Sequence, residues 1–262
     1  MILVYCDHIT SRHRFIFSYI FEDMLGMSLH LTMDQNEFVS FAGPKINYRK
    51  SDVTGAIRFR PHPLLSETGI SPQVKLVEQL NNVTVQQFNS LTIEQLSIDP
   101  FALSFYLVTR YEEYLPFHPD QHDRFPVDQS IAFEMNFLRL PLVNVIAEML
   151  KKHISDQYPG TAIPGQPFHF LPTVDIDIAF AHLGKGLWRA SGAWAKILLT
   201  AQWKLAWERL LTLSGKKDDP YNNFGLHLKL AKKYNLSLLY FVLVGDLSQF
   251  DRNTSYKKST FR

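Results

Sequence analysis

Residues 168–182 read FHFLPTVDIDIAFAH. Apolar residues flank two carboxylates, Asp175 and Asp177, that stand one residue apart. In an extended strand, residues two apart share a face, so Thr173, Asp175 and Asp177 line one side. Val174, Ile176 and Ile178 line the other. Like charges about 7 Å apart repel in a low dielectric, and the arrangement persists only where a cation or a shared proton offsets the cost. A metal ligand beside a general base meets that demand: one carboxylate holds the ion, and the other takes a proton from the water the ion activates. The residues alone leave a second outcome open, in which the strand ends near residue 174 and both aspartates cap a following helix in water.

Upstream of this stretch, residues 156–167 (DQYPGTAIPGQP) hold three prolines and two glycines and no periodicity, the composition of a linker. Downstream, a helix is expected over 224–234, stopping at Asn235, a residue type that tolerates the left-handed conformation. It leads into LSLLYFVLV, residues 236–244, a continuous apolar run expected as a parallel strand buried on both faces. Strand, long insertion, helix and strand make a βαβ unit.

The N-terminal half reads as mixed α/β. MILVYC suits a short buried strand, Ser11–Leu25 has helical apolar spacing, and strand-like pieces follow at Met27–Thr32 and Ala56–Phe59. Asp99 and Pro100 form a helix start, and that helix is expected to run to just before Pro116. Another opens at Pro141, with Val143, Ile146, Ala147, Leu150 and Ile154 as its apolar stripe. The expected layout is an N-terminal α/β accessory domain at 1–158, a linker at 159–167 and a second domain at 168–262.

From Phe170 onward the chain resembles the NodB-homology polysaccharide deacetylases, carbohydrate esterase family 4. Two segments carry the resemblance, TVDID at 173–177 and LHLKLAKKYNLSLLYFVLVGD at 226–246. RYEEYLPFHPDQHDRFP, residues 110–126, resembles the extra N-terminal domain of a bacterial subgroup of these proteins. The resemblance implies the start of a distorted (β/α) barrel, with Asp175 as catalytic base and Asp177 as ligand to a divalent metal, most often zinc. Thr173 and Asp246 are candidates beside that pair. The family completes its metal site with a downstream His-x-x-x-His. The sequence ends before such a motif, so a C-terminally truncated chain, inactive by itself, is expected.

Other residues compete for a role. His118 and His122 have the His-x-x-x-His spacing but lie upstream of the aspartates in a proline-flanked stretch, and are expected as a loop. Arg110, Glu112 and Glu113 fit the exposed face of a helix. His182 and His227 are metal ligands by residue type only. All four tryptophans, Trp188, Trp194, Trp203 and Trp207, fall within 185–217, which carries seven basic residues and one acid. Tryptophans and cations on one helix suit a membrane surface or a bound glycan, with Trp203, Lys204 and Trp207 as the contact residues. A helical hairpin packing its aromatic side on the N-terminal domain is the alternative.

Composition narrows the classes. A hydrophobic fraction of 46% against 20% charged residues fits a globular protein with a substantial core. A net charge of +2 provides no global field for nucleic acid, and none is expected as a partner. The single cysteine, Cys6, excludes an internal disulfide and suits a buried, inert thiol in a reducing compartment. The N-terminal apolar run breaks at Asp7 and His8 without a basic leader, and no stretch of about 18 apolar residues spans a bilayer. A cytoplasmic protein, peripheral to membranes at most, is therefore expected. Its expected activity is removal of N-acetyl groups from an amino-sugar polysaccharide or lipid-linked glycan. The competing classes are an Asp-x-Asp glycosyltransferase and a non-enzymatic interaction module.

Overall fold

The computed structural model describes residues 1–83, 88, 90–183 and 203–242. Two compact units divide the chain, Met1–Pro167 and Phe168–Arg262. Both combine helices with parallel strands, and the class is mixed α/β.

The first unit is built on four parallel strands: β1 (Ile2–Cys6), β2 (Leu29–Thr32), β3 (Lys45–Tyr48) and β4 (Ile57–Arg58). Their order is β2-β1-β3-β4. The run ILVYC can be apolar throughout because β1 is covered on both faces. Ile2, Val4 and Cys6 pack with Ile16, Phe17, Ile20 and Phe21 of the helix α1 (Ser11–Ser18) and its π-helical continuation Tyr19–Met24. Leu3 and Tyr5 pack with Phe38 of α2 (Gln35–Ser40) on the other face. The chain thus leaves β1 on one side of the sheet and reaches β3 from the other, which puts a topological switch point between β1 and β3.

Local chemistry sets the helix ends. Thr10 and His13 close a capping box at the start of α1. Gly26 follows its far end at φ +66°, and a Cβ there would lie 3.1 Å from the Gly165 carbonyl oxygen, so glycine is required twice over. Beyond α3 (Val74–Asn81), α4 (Pro100–Val108) starts as its sequence predicts, with the Asp99 carboxylate accepting from the Phe101 and Ala102 N–H groups. It ends earlier than expected. Thr109 bonds back to the Phe105 carbonyl, Arg110 turns left-handed at φ 51°, and a short 3-10 turn, Tyr111–Tyr114, follows. The break lets Tyr111 leave the helix line and become buried, its hydroxyl accepting from the Ser71 N–H at 3.0 Å. Past α5 (Ile131–Glu134), α6 (Leu142–Gln157) buries Leu142, Ile146, Ala147, Leu150 and Ile154. Leu142, not the half-buried Val143, begins that stripe. Each fully buried aliphatic side chain of this kind is worth about 1.5–3 kcal/mol.

The second unit has β5 (Thr173–Ile176) and β6 (Leu239–Val242), paired in parallel with Thr173 opposite Leu239 and Asp175 opposite Phe241. Between them lie α7 (Trp203–Leu213) and α8 (Phe224–Tyr234). Asn235, at φ 51° and ψ 48°, closes α8 in the left-handed conformation its sequence suggests. The apolar run of β6 is not buried on both faces: Leu239 is 42% exposed and Phe241 53%. Tyr240 and Val242 are half-buried, so the strand alternates. Among the described residues one face is covered, where Tyr240 meets Phe224 and His227 of α8, while β5 pairs along the edge and covers neither face.

Candidate functional site

The paired aspartates stand at the carboxyl end of β5. Alternation along the strand leaves Thr173 and Asp175 exposed and Val174 and Ile176 half-buried. Asp175 therefore shares a face with Phe241, its partner in register. Asp177 lies one residue past the strand and is exposed as well. The strand does not end at residue 174, and neither carboxylate caps a helix among the described residues. Both line one cleft of about 350 Å³, whose other wall is formed by Tyr221, Asn223, Phe224 and His227 at the start of α8.

A third aspartate, not singled out by the sequence, organises these walls. Asp219 is buried and accepts four backbone N–H groups: Ala181 at 2.7 Å, His182 at 2.7 Å, Leu183 at 3.1 Å and Tyr221 at 3.0 Å. The loop after Asp177 and the turn before α8 are thereby tied to a single carboxylate. Burial alone would raise its pKa, but the four N–H donors together hold it below the usual carboxylate value. The available signal was the turn composition of KKDDPYNN, in which an aspartate before proline favours side-chain bonding to nearby backbone.

The remaining candidates separate. His227 sits beside the Tyr240 hydroxyl, 3.3 Å from its Nδ1, on the side of the sheet that α8 occupies. His182 is buried, and its N–H serves the Asp219 cradle. Trp203 and Trp207, 65% and 63% exposed, stand one helical turn apart on α7 with exposed Lys204 between them. Trp188, Trp194 and Asp246 lie outside the described residues.

In the first unit, His118 and His122 occupy an exposed loop. His118 exchanges two hydrogen bonds with the Gln129 side chain, and Asp120 gathers the His122 N–H and the Arg124 guanidinium. The Arg110–Glu112–Glu113 group is not one exposed helical face. Arg110 pairs with Glu113, while half-buried Glu112 accepts the Ile131 N–H at 3.0 Å, and burial raises its pKa. Cys6 is buried, and desolvation, helped by Asp7, pushes its thiol up to about 12. Such a thiol is not a nucleophile.

A family model described as a family of unknown function, DUF7033, matches residues 2–159. The chain belongs to this family. Its matched segment lies within the first unit, called the DUF7033 domain below. No curated protein and no solved structure matches the chain significantly.

Among the described residues, no group of three or more His, Cys, Asp or Glu side chains is placed to hold a metal ion. Asp175 and Asp177 offer two carboxylates to a divalent cation, fewer than the three or four protein ligands of a zinc site. No helix among those residues is long and apolar enough to cross a membrane.

Proposed function

We propose that the second unit belongs to a metal-dependent hydrolase of the NodB polysaccharide deacetylase type, acting on N-acetyl groups of an amino-sugar polysaccharide or lipid-linked glycan. The observation that supports this reading is the exposed pair Asp175 and Asp177 at the carboxyl end of a parallel strand, opening on one cleft. Two exposed carboxylates and a polar wall suit an uncharged, hydroxyl-rich substrate better than an anionic one.

In this reading Asp177 is a metal ligand, and Asp175 takes a proton from the water that attacks the acetamide carbonyl. A bound divalent ion, zinc by resemblance, would supply the Lewis acidity that polarises the carbonyl oxygen. Asp177 would fill one position of its ligand shell. The exposed Trp203, Lys204 and Trp207 are proposed to contact the glycan or the membrane surface that carries it. The inert Cys6 is in keeping with a cytoplasmic setting.

Mn²⁺ titrated into the ¹⁵N-labelled chain tests the core of the proposal. Selective broadening of the Asp175–Asp177 amides, lost in Asp177→Asn, is expected. Acetate release from N-acetylglucosamine oligomers by the longest natural protein containing this chain should fall at least about 100-fold in Asp175→Asn. Uniform broadening, or acetate release untouched by Asp175→Asn, would sink the reading. Liposome co-sedimentation unchanged by Trp203→Ala with Lys204→Ala would remove the membrane contact.

A further inference from the structure

The DUF7033 domain has a cleft of its own, about 530 Å³, where the chain emerges from β4. Its position follows from the topology. Tyr48 is the last residue of β3, and its hydroxyl donates to Asp99 at the head of α4. Asp99 also accepts the His62 N–H from the segment that follows β4. The cleft therefore opens at the carboxyl ends of parallel strands, the edge at which open α/β sheets bind their ligands.

An account of donors and acceptors around it indicates what it binds. Asp99 lines the cleft but has no capacity to spare. One of its oxygens takes the Phe101 and Ala102 N–H groups at 2.9 and 3.2 Å, and the other takes Tyr48 and His62. His62 accepts the Leu64 N–H on Nδ1 at 3.2 Å, so its neutral ring carries the proton on Nε2 as a donor. Burial lowers its pKa and favours that neutral form. Arg58 spends one nitrogen on Asp52 and keeps its other N–H groups. Arg60, exposed at the mouth, has no acidic partner among the described residues. The Gln79 amide and the Ser97 hydroxyl each offer a donor and an acceptor, and the one other carboxylate in the lining, Glu94, is 65% exposed and 3.5 Å from His153. Below this polar mouth, Ile93, Leu96 and Phe59 form an apolar floor.

The two guanidinium groups and His62 Nε2, with one acid on Arg58 and none on Arg60 among the described residues, leave a surplus of donors, so the complementary ligand is rich in acceptors, with an apolar body. We propose that the DUF7033 domain binds a small organic anion, a phosphate monoester or a carboxylate, with Arg60, Arg58 and His62 Nε2 as its donors. Guanidinium groups suit both head groups, because their paired N–H donors match two oxygens at once. The site is independent of the aspartate pair, and the deacetylase reading has no bearing on it.

Calorimetry on the full chain, with phenyl phosphate, benzoate and benzyl alcohol as probes, tests it. At least one anion is expected to bind with a sub-millimolar Kd, weakened by added salt, while the neutral alcohol of the same body does not bind. Binding of phenyl phosphate alone assigns a phosphate monoester, and of benzoate alone a carboxylate. Arg60→Gln should weaken the bound anion at least tenfold with an unchanged melting temperature, since the side chain is exposed, and Arg60→Lys should recover part of the loss. Three results overturn the proposal: no anion binding at millimolar concentration, equal binding of the alcohol, or wild-type affinity in Arg60→Gln.

Discussion

Among the described residues each unit buries one aspartate, and the two respond in opposite directions. Asp99 in the DUF7033 domain and Asp219 in the second unit each accept four hydrogen bonds, three or more of them from backbone N–H groups. Yet the pKa of Asp99 is raised and that of Asp219 lowered. Burial is the largest influence on both. For Asp99, set among Tyr48, Phe101 and the main core, desolvation outweighs its four donors. For Asp219 the covering layer is thin, because the described helices and one face of the strands around it are largely exposed, and the donors win. With equal numbers of hydrogen bonds, the depth of apolar packing sets the direction in which each of these two pKa values moves.

The contrast is sharpest in the cores. Leu150 of α6 is fully buried, whereas Leu228 of α8 is 60% exposed. Leu150→Ala should cost about 2–5 kcal/mol in urea unfolding of the DUF7033 domain. Leu228→Ala should stay within about 0.5 kcal/mol. Equal costs would mean that α8 is packed as deeply as α6.

The caps come next. Asp99→Ala removes a helix cap and leaves the buried Tyr48 hydroxyl unpaired, and should cost about 2–4 kcal/mol globally in the same unfolding measurement. Asp219→Ala should act locally. Amide exchange at Ala181, His182 and Leu183 is expected to accelerate at least about tenfold while the amides of α6 are unchanged. Unchanged exchange at 181–183 would show that Asp219 does not hold the loop beside Asp177.

The smallest effects are those of pH. Asp219, with its folded pKa below the unfolded 3.8, contributes stability that is present above that value and lost as pH falls through the folded pKa. Asp99 has the opposite sign: its raised folded pKa gives a contribution complete below 3.8 and lost as pH rises through the folded value. His13, lowered to about 4 chiefly by burial and next by His8, adds a third window. Its contribution is present above 6.5 and lost as pH falls toward 4. Within the DUF7033 domain the two windows oppose each other, so each is read against its own variant: relative to His13→Gln, the wild-type urea midpoint should decline from pH 6.5 toward 4.

Much of the fold was legible locally. The all-apolar ILVYC, the Asp99-Pro100 start and the Asn235 stop each depend on residues within a turn or two of one another. Three features were not. KINY at 45–48 mixes lysine and asparagine into a central strand, where buried Asn47 donates its Nδ2 to the Ser51 carbonyl while its Oδ1 finds no partner among the described residues. Nothing in FALSFYLVTRYEEYL marks Arg110 as a left-handed break, which is set by the burial of Tyr111 against distant residues. The apolar run of β6 promised burial on two faces, but burial needs neighbours that a strand does not itself contain.

The same division holds for the sites. The sequence by itself determined that Thr173 and Asp175 share one side of β5, because side-chain alternation is a property of the backbone, whereas Asp177 falls one residue past the strand end. Tertiary structure decided which polar groups meet. Tyr48 reaches Asp99 across 51 residues, and Asp219 gathers N–H groups 36 to 38 residues before it. It also brings Arg60 and His62 to the cleft that Ser97 and Gln79 line. Periodicity is written into adjacent residues, whereas satisfying a buried carboxylate takes donors from separate elements that only packing brings together.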